Sequence, residues 1–264
     1  MNIFVREVKA NLKSLLVWGV IVVLFVVVGT SKFSAYFENP EMLAILDTLP
    51  PAMLAAFSFN ALNLTTISGF LGIMFTYYAL MLGIAAAMWG SDIISKEERD
   101  KTVEFSLTLP VTRSRVVTAK TLAALVNCIG LLLITWGATA FSAQPYKPDS
   151  AFYKFLLLCV AALFLMQLIF LAVGIFLGCA MKQYRRVSSL AVSALLGTYF
   201  LSILVGLNKD LDFLKYLTPF KYFDAVRMLN ESRLNWAFVA LSLAIVAAAM
   251  AGAYVTYARR DLYI

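Results

Sequence analysis

Six times along the chain a run appears in which every helical face is apolar, with the polar residues gathered between the runs. The runs lie at about residues 15–30 (extending toward Tyr36), within 62–89, and at 121–143, 155–181, 187–207 and 236–258. A bilayer's hydrocarbon core takes about 20 mostly apolar helical residues to cross. Strands of a membrane barrel would instead alternate apolar and polar with period two. The pattern predicts an all-α integral membrane protein with six transmembrane helices. The longest pieces outside the runs are about thirty residues, so residues 1–264 read as a single transmembrane domain.

Three polar stretches interrupt this pattern. In "MNIFVREVKANLKSLL", Ile3, Phe4, Val8, Leu12 and Leu15 recur at helical spacing, while Arg6, Glu7, Lys9 and Lys13 fill the rest. That predicts an amphipathic helix over residues 1–14, lying in the membrane interface. A basic start before an apolar run also has the look of a signal peptide, but no clean A-x-A site follows.

The second stretch, "GSDIISKEERDKTVEFSLTLPVTRSRVVTAK" at residues 90–120, is the densest run of charge. Ser91 and Asp92 are expected where the second span ends. Glu97 and Lys101 are spaced i,i+4, which supports a helical turn. Val103/Leu107 and Phe105/Leu109 are each four apart, and Pro110 stops the short helix they imply. Thr112 then reads as the N-cap of the next helix, with Arg113, Arg115 and Lys120 anchoring its start among headgroups. A connector between antiparallel spans needs only a few residues. The excess suits either docking of a cytoplasmic partner or a loop lying on the headgroups.

The third stretch, "LNKDLDFLKYLTPFKYFDAVRMLNESRLNW", carries two helical groups of apolar residues broken at Thr218-Pro219.

Composition narrows the function classes. Of 264 residues, 62% are hydrophobic and 14% charged, against roughly 45–50% and about 25% in soluble domains. Mean hydropathy is +0.84. The net charge of +7 fits basic loops held at anionic headgroups. No basic stripe with interleaved aromatics marks a nucleic-acid face. Histidine is absent, which argues against zinc sites and His-dependent catalysis. Cys128, Cys159 and Cys179 sit in apolar runs without CxxC spacing.

With both termini on one side, that side holds fourteen Lys/Arg and the other eight, which makes it cytoplasmic. The expected location is a bacterial or archaeal cytoplasmic membrane, with residues 91–118 on its inner face. No GxxxxGK[ST] appears, so ATP-dependent work requires another chain. No charge lies at the middle of a predicted span, unlike proton- or ion-coupled carriers. Tyr77, Tyr78, Asn127 and Gln167 are polar at membrane depth, as helix-to-helix bonds or as the lining of a translocation path. Gly83/Ala87 and Gly174/Gly178 form small-xxx-small pairs, suited to close packing within the chain.

The segment "SDIISKEERDKTVEFSLTLPVTRSRVVTAK" resembles the segment between the second and third spans of ABC-2-type transporter permeases. That family commonly shows an acidic residue, a threonine, a short apolar helix, L-P-[VIL]-[ST]-R and then a lysine. The matching positions are Glu98, Thr102, Leu109, Pro110, Val111, Thr112, Arg113 and Lys120. The amphipathic N-terminus and "YLTPFKYFDA" (residues 216–225) are similar to further parts of the same family.

The resemblance implies a type V exporter-like fold. It implies a cytoplasmic coupling helix seated in a separately encoded ATP-binding subunit, and re-entrant extracellular helices over residues 208–235. Two permeases, identical or homologous, would work with two ATPases. ATP and Mg would bind the partner, leaving this chain without cofactor or catalytic residues. On this reading Glu97, Glu98, Arg99, Thr102, Glu104 and Phe105 couple to the ATPase, with Pro110 and Arg113 shaping the hinge. Thr218, Pro219, Phe220 and Phe223 become candidates for an extracellular gate. The alternative is a non-transporting membrane scaffold or assembly factor. An intramembrane enzyme is disfavoured by the missing histidines, and a secondary transporter by the lack of internal repeats.

Overall fold

A computed structural model describes residues 3–37, 39, 62–99 and 112–259. These residues form helices and turns, with no strand among them. Six helices are long and apolar enough to cross a membrane: α1 (Ile3–Phe33), α2 (Ile67–Arg99), α3 (Arg113–Ala143), α4 (Ser150–Ala180), α5 (Tyr184–Leu207) and α7 (Trp236–Arg259). The short α6 (Ala225–Glu231) precedes the last of them. All six predicted spans are present, and the helix ends are where sequence and structure part.

α1 is one unbroken helix, so the amphipathic residues 3–14 are its own first turns rather than a separate element. α2 runs ten residues beyond Trp89, carrying Ser91 and Ser95 into the interior. Both serines are satisfied locally. Ser91 Oγ donates to the Met88 carbonyl at 3.0 Å and lies 3.0 Å from Ser188 Oγ, and Ser95 Oγ donates to the Ser91 carbonyl at 2.7 Å. A hydroxyl that bonds back into its own helix can be buried without ending it. α3 begins eight residues before the apolar run, because Thr112 caps it as expected: its side chain accepts from the Arg115 N–H.

α2 and α4 form the centre. Two-thirds of α2's apolar window is buried (67%), against 11% for α7 and 17% for α1. α1 packs on α3, α7 on α4, and α5 on α2. The α2–α4 contact is backbone on backbone. A Cβ on Gly90 would meet the Leu171 carbonyl oxygen at 2.4 Å, and one on Gly174 the Ala87 carbonyl oxygen at 2.6 Å. The Gly174/Gly178 pair therefore serves packing within the chain, with Gly90 and Ser91 as its counterpart.

At the end opposite the termini, Phe33 stacks on Phe70 (4.7 Å between centroids) and meets Tyr146 edge-on (4.8 Å). The Tyr146 hydroxyl donates to the Thr30 carbonyl, which staples the α3–α4 turn to α1.

Candidate functional site

Five charged side chains meet where α1 and α3 begin and α2 ends. Glu97 accepts from Arg6 at 3.1 Å and pairs with Lys120 at 3.1 Å. Glu7 pairs with Arg6 at 3.3 Å and with Lys96. The Lys120 ammonium also donates to the Ile93 carbonyl at 2.8 Å. Glu7 and Lys120 are each 1% exposed and Glu97 7%. Among the described residues three cations thus face two carboxylates across three helices.

One of these placements follows from helix electrostatics: Lys96 lies in the last turn of α2, where an ammonium is favoured by the helix dipole. Glu97 sits at the unfavourable end of α2 and is compensated by two cations. A buried ion pair adds little net stability over an apolar pair, but removing one partner is costly. The cluster therefore acts chiefly by fixing how α1, α2 and α3 sit against one another.

This changes two sequence expectations. Lys120 does not anchor among headgroups, because it lies inside the bundle against α2. Glu7 does not belong to a polar outer face, because Lys96 draws it inward. Counting apolar positions on a single helix could not show this. The signal was the coincidence of odd charges on three separate elements.

The predicted coupling residues divide. Glu97 faces the interior, and the Lys101 expected to pair with it lies outside the described residues, as do Thr102, Glu104, Phe105 and Pro110. Glu98 is half-buried on the last turn of α2 and Arg99 is exposed and paired with Asp92. Arg113 donates to the carbonyls of Ala258 (3.2 Å) and Tyr257 (3.4 Å) at the end of α7. A guanidinium on the last carbonyls of a helix completes its unsatisfied acceptors. The segment 100–111 is thus flanked by residues near tertiary contacts, Arg99 two positions after Glu97 of the cluster and Thr112 one before Arg113.

The four polar residues at membrane depth make different contacts. Tyr78 lines a space of about 10 Å³ with Thr139 and Phe152, and Tyr77, Asn127 and Gln167 are not in its lining. That volume holds at most about one water. Gln167 donates from α4 to the Cys128 carbonyl on α3 at 3.3 Å, a helix-to-helix bond. Tyr77 and Tyr78 flank Phe25. Asn127 is fully buried, with neither amide atom partnered among the described residues.

The stretch between α5 and α7 folds over the ends of α4, α5 and α7. Its first part, Lys209–Leu217, is a 3₁₀ helix. Leu211, Leu214 and Leu217 are each three apart, the spacing that aligns side chains in a helix of three residues per turn. The chain breaks at Thr218-Pro219 as the sequence implied. Thr218 is fully buried and donates to the Thr198 carbonyl at 2.8 Å. Phe220 packs on Phe170 (5.7 Å) and Tyr199 (5.4 Å). Phe223 is 3% exposed, and Tyr222 stacks on Phe238 at 5.1 Å. The candidate gate residues Thr218, Pro219, Phe220 and Phe223 therefore lie in one segment packed onto the bundle at this face.

The family model for ABC-2 family transporter proteins matches residues 1–262. Among curated proteins no match is found.

Proposed function

The chain belongs to the ABC-2 family of transporter proteins, and from that premise we propose that it is the membrane subunit of an ATP-driven exporter. A separately encoded ATPase docks on residues 100–111 from the cytoplasm, and ATP and Mg bind there. Both termini then face the cytoplasm, consistent with the Lys/Arg asymmetry between the two sides. The observation that carries the reading is the extension of α2 past its apolar run, ending in a buried ion cluster shared with α1 and α3. A connector alone has no use for such a root. A push on the docked segment reaches α2 and α3 through Glu97 and Lys120 without first being lost in a soft joint.

Within this reading Glu98, Thr102, Glu104 and Phe105 make the contact, Glu97 and Lys120 transmit it, and Arg113 holds α3 against α7. The plug around Thr218, Pro219, Phe220 and Phe223 closes the exit. A second copy, or a homologous permease, completes the pair on the exposed apolar faces left by the bundle.

The test is a mild-detergent pull-down of the tagged chain from its host, followed by mass spectrometry and an ATPase assay. An ATP-binding subunit should copurify and be lost on charge reversal at Glu98 and Glu104 with the chain still folded. A stable complex that contains no ATPase, under conditions where a known ABC transporter stays intact, supports the scaffold reading instead.

A further inference from the structure

On the face opposite the termini, a pocket of about 280 Å³ opens between the end of α5, the 3₁₀ segment, α6 and the start of α7. Its floor is apolar: Phe223 and Met228 are buried, and Tyr222 lies stacked on Phe238. Its charged lining is Lys215, Lys221, Arg227 and Arg233 against Asp212 and Asp224.

The acids are already engaged. Asp212 pairs with Lys215 at 2.5 Å. One oxygen of Asp224 accepts from the Val226 and Arg227 N–H groups, which caps α6. Arg233 pairs with Glu231 at 3.0 Å, beside the pocket. Among the described residues no carboxylate pairs with Lys221 or with Arg227. The Lys221 ammonium rests against Gly206 in the last turn of α5, where a helix end favours a cation. Arg227 lines the same pocket as Lys215. The rim therefore crowds positive charge over an apolar floor, with two cations left for a ligand.

We propose that this pocket binds the anionic phosphate group of an amphiphile, with the phosphate on Lys221 and Arg227 and the apolar body against Tyr222, Phe223 and Phe238. A guanidinium offers paired donors to phosphate oxygens, and an ammonium adds a point charge. The surrounding surface suits a ligand that comes from the membrane, since Phe213, Leu217 and Trp236 stand exposed nearby (66%, 63% and 79%), as aromatic and apolar residues do at a bilayer boundary. The inference does not rest on the exporter reading. It concerns binding at this face whether or not cargo moves.

The experiment uses the full chain in neutral-detergent micelles and titrates three probes by fluorescence or calorimetry. They are inorganic phosphate, a short-chain anionic phospholipid and short-chain phosphatidylcholine. The anionic lipid should bind best. Lys221→Gln with Arg227→Gln should weaken it by about tenfold or more, the scale of losing two charge-assisted hydrogen bonds. Lys154→Gln, a charge loss on the exposed start of α4, should not. The double variant must keep the wild-type elution profile and helical circular dichroism, which exposed and half-buried positions allow. Phosphatidylcholine binding as tightly as the anionic lipid overturns the role of the cations. Inorganic phosphate binding as tightly as the lipid overturns the amphiphile and leaves a plain anion site. Equal binding by the double variant and the Lys154 control overturns the site.

Discussion

Replacing Glu97 by Gln should destabilise the chain more than replacing Lys120 by Met, and the second change should rescue the first. The Lys120 ammonium is 1% exposed and lies 3.1 Å from Glu97 and 2.8 Å from the Ile93 carbonyl. At an effective dielectric constant of about 20, two charges at that separation attract by about 5 kcal/mol. Most of that is offset by the several kcal/mol lost in taking each ion out of water. Lys120→Met keeps the side-chain stem and leaves two cations facing two carboxylates, with Glu97 still held by Arg6. Its cost should be about 1–2 kcal/mol. Glu97→Gln removes the carboxylate 3.1 Å from the buried Lys120 charge and leaves it only neutral acceptors there, the new amide oxygen and the Ile93 carbonyl, which should cost about 3–4 kcal/mol. An ordinary lysine can shed its proton at pH 7 for about 4.6 kcal/mol, which caps the penalty. Adding Lys120→Met removes the stranded charge, so the double variant should recover about 1–3 kcal/mol relative to Glu97→Gln. The assay is reversible unfolding, or thermal midpoints, of the four proteins in one mild detergent. Additive effects, or a Glu97→Gln cost below about 0.5 kcal/mol, would refute the reasoning that the pair is a buried, coupled unit.

Gly174→Ala places a methyl 2.6 Å from the Ala87 carbonyl oxygen, so α2 and α4 must separate, and a loss of about 1–3 kcal/mol is expected in the same unfolding assay. Gly137→Ala, whose new Cβ meets nothing within 4 Å, should be neutral or slightly stabilising and serves as its control. Thr112→Ala removes the side chain that accepts from the Arg115 N–H, at about 1 kcal/mol. It should also raise hydrogen exchange in the first turn of α3. Ser14→Ala deletes the acceptor of the Trp89 indole N–H at 2.8 Å, which should cost about 1 kcal/mol and shift the tryptophan emission.

The six spans were legible because the apolar runs are long and uninterrupted, and Thr112 was legible because a cap is a local signal. The ion cluster was not. Glu97 looked like half of an i,i+4 pair, and Lys120 like a headgroup anchor, because both inferences consult only neighbours on one helix. Burial of a charge is decided by what other elements bring. Here Arg6 and Lys120 arrive from 91 residues before and 23 residues after Glu97. The length of α2 was underestimated for a related reason. Ser91 and Asp92 mark the end of the span in the sequence pattern, whereas hydroxyls bonded to their own helix and paired ions make the stretch 91–99 fit for the interior. The segment between α5 and α6 was partly legible, since Thr218-Pro219 is a local breaker, while the docking of Phe220 on Phe170 and Tyr199 depends on where α4 and α5 end.

The close seating of α2 on α4 has a mechanical consequence. Glycines at 90, 174 and 178 leave no side-chain layer to compress, so the two helices tilt together or not at all. α2 is 33 residues long, about 50 Å at 1.5 Å per residue. Its foot carries the ion cluster, and its upper turns reach α6, where Gly72 faces Ala225. A stiff beam of that length converts a tilt of about 10° about its midpoint into about 4 Å of travel at each tip. One membrane face can thereby feel a displacement made at the other, with no hinge in between.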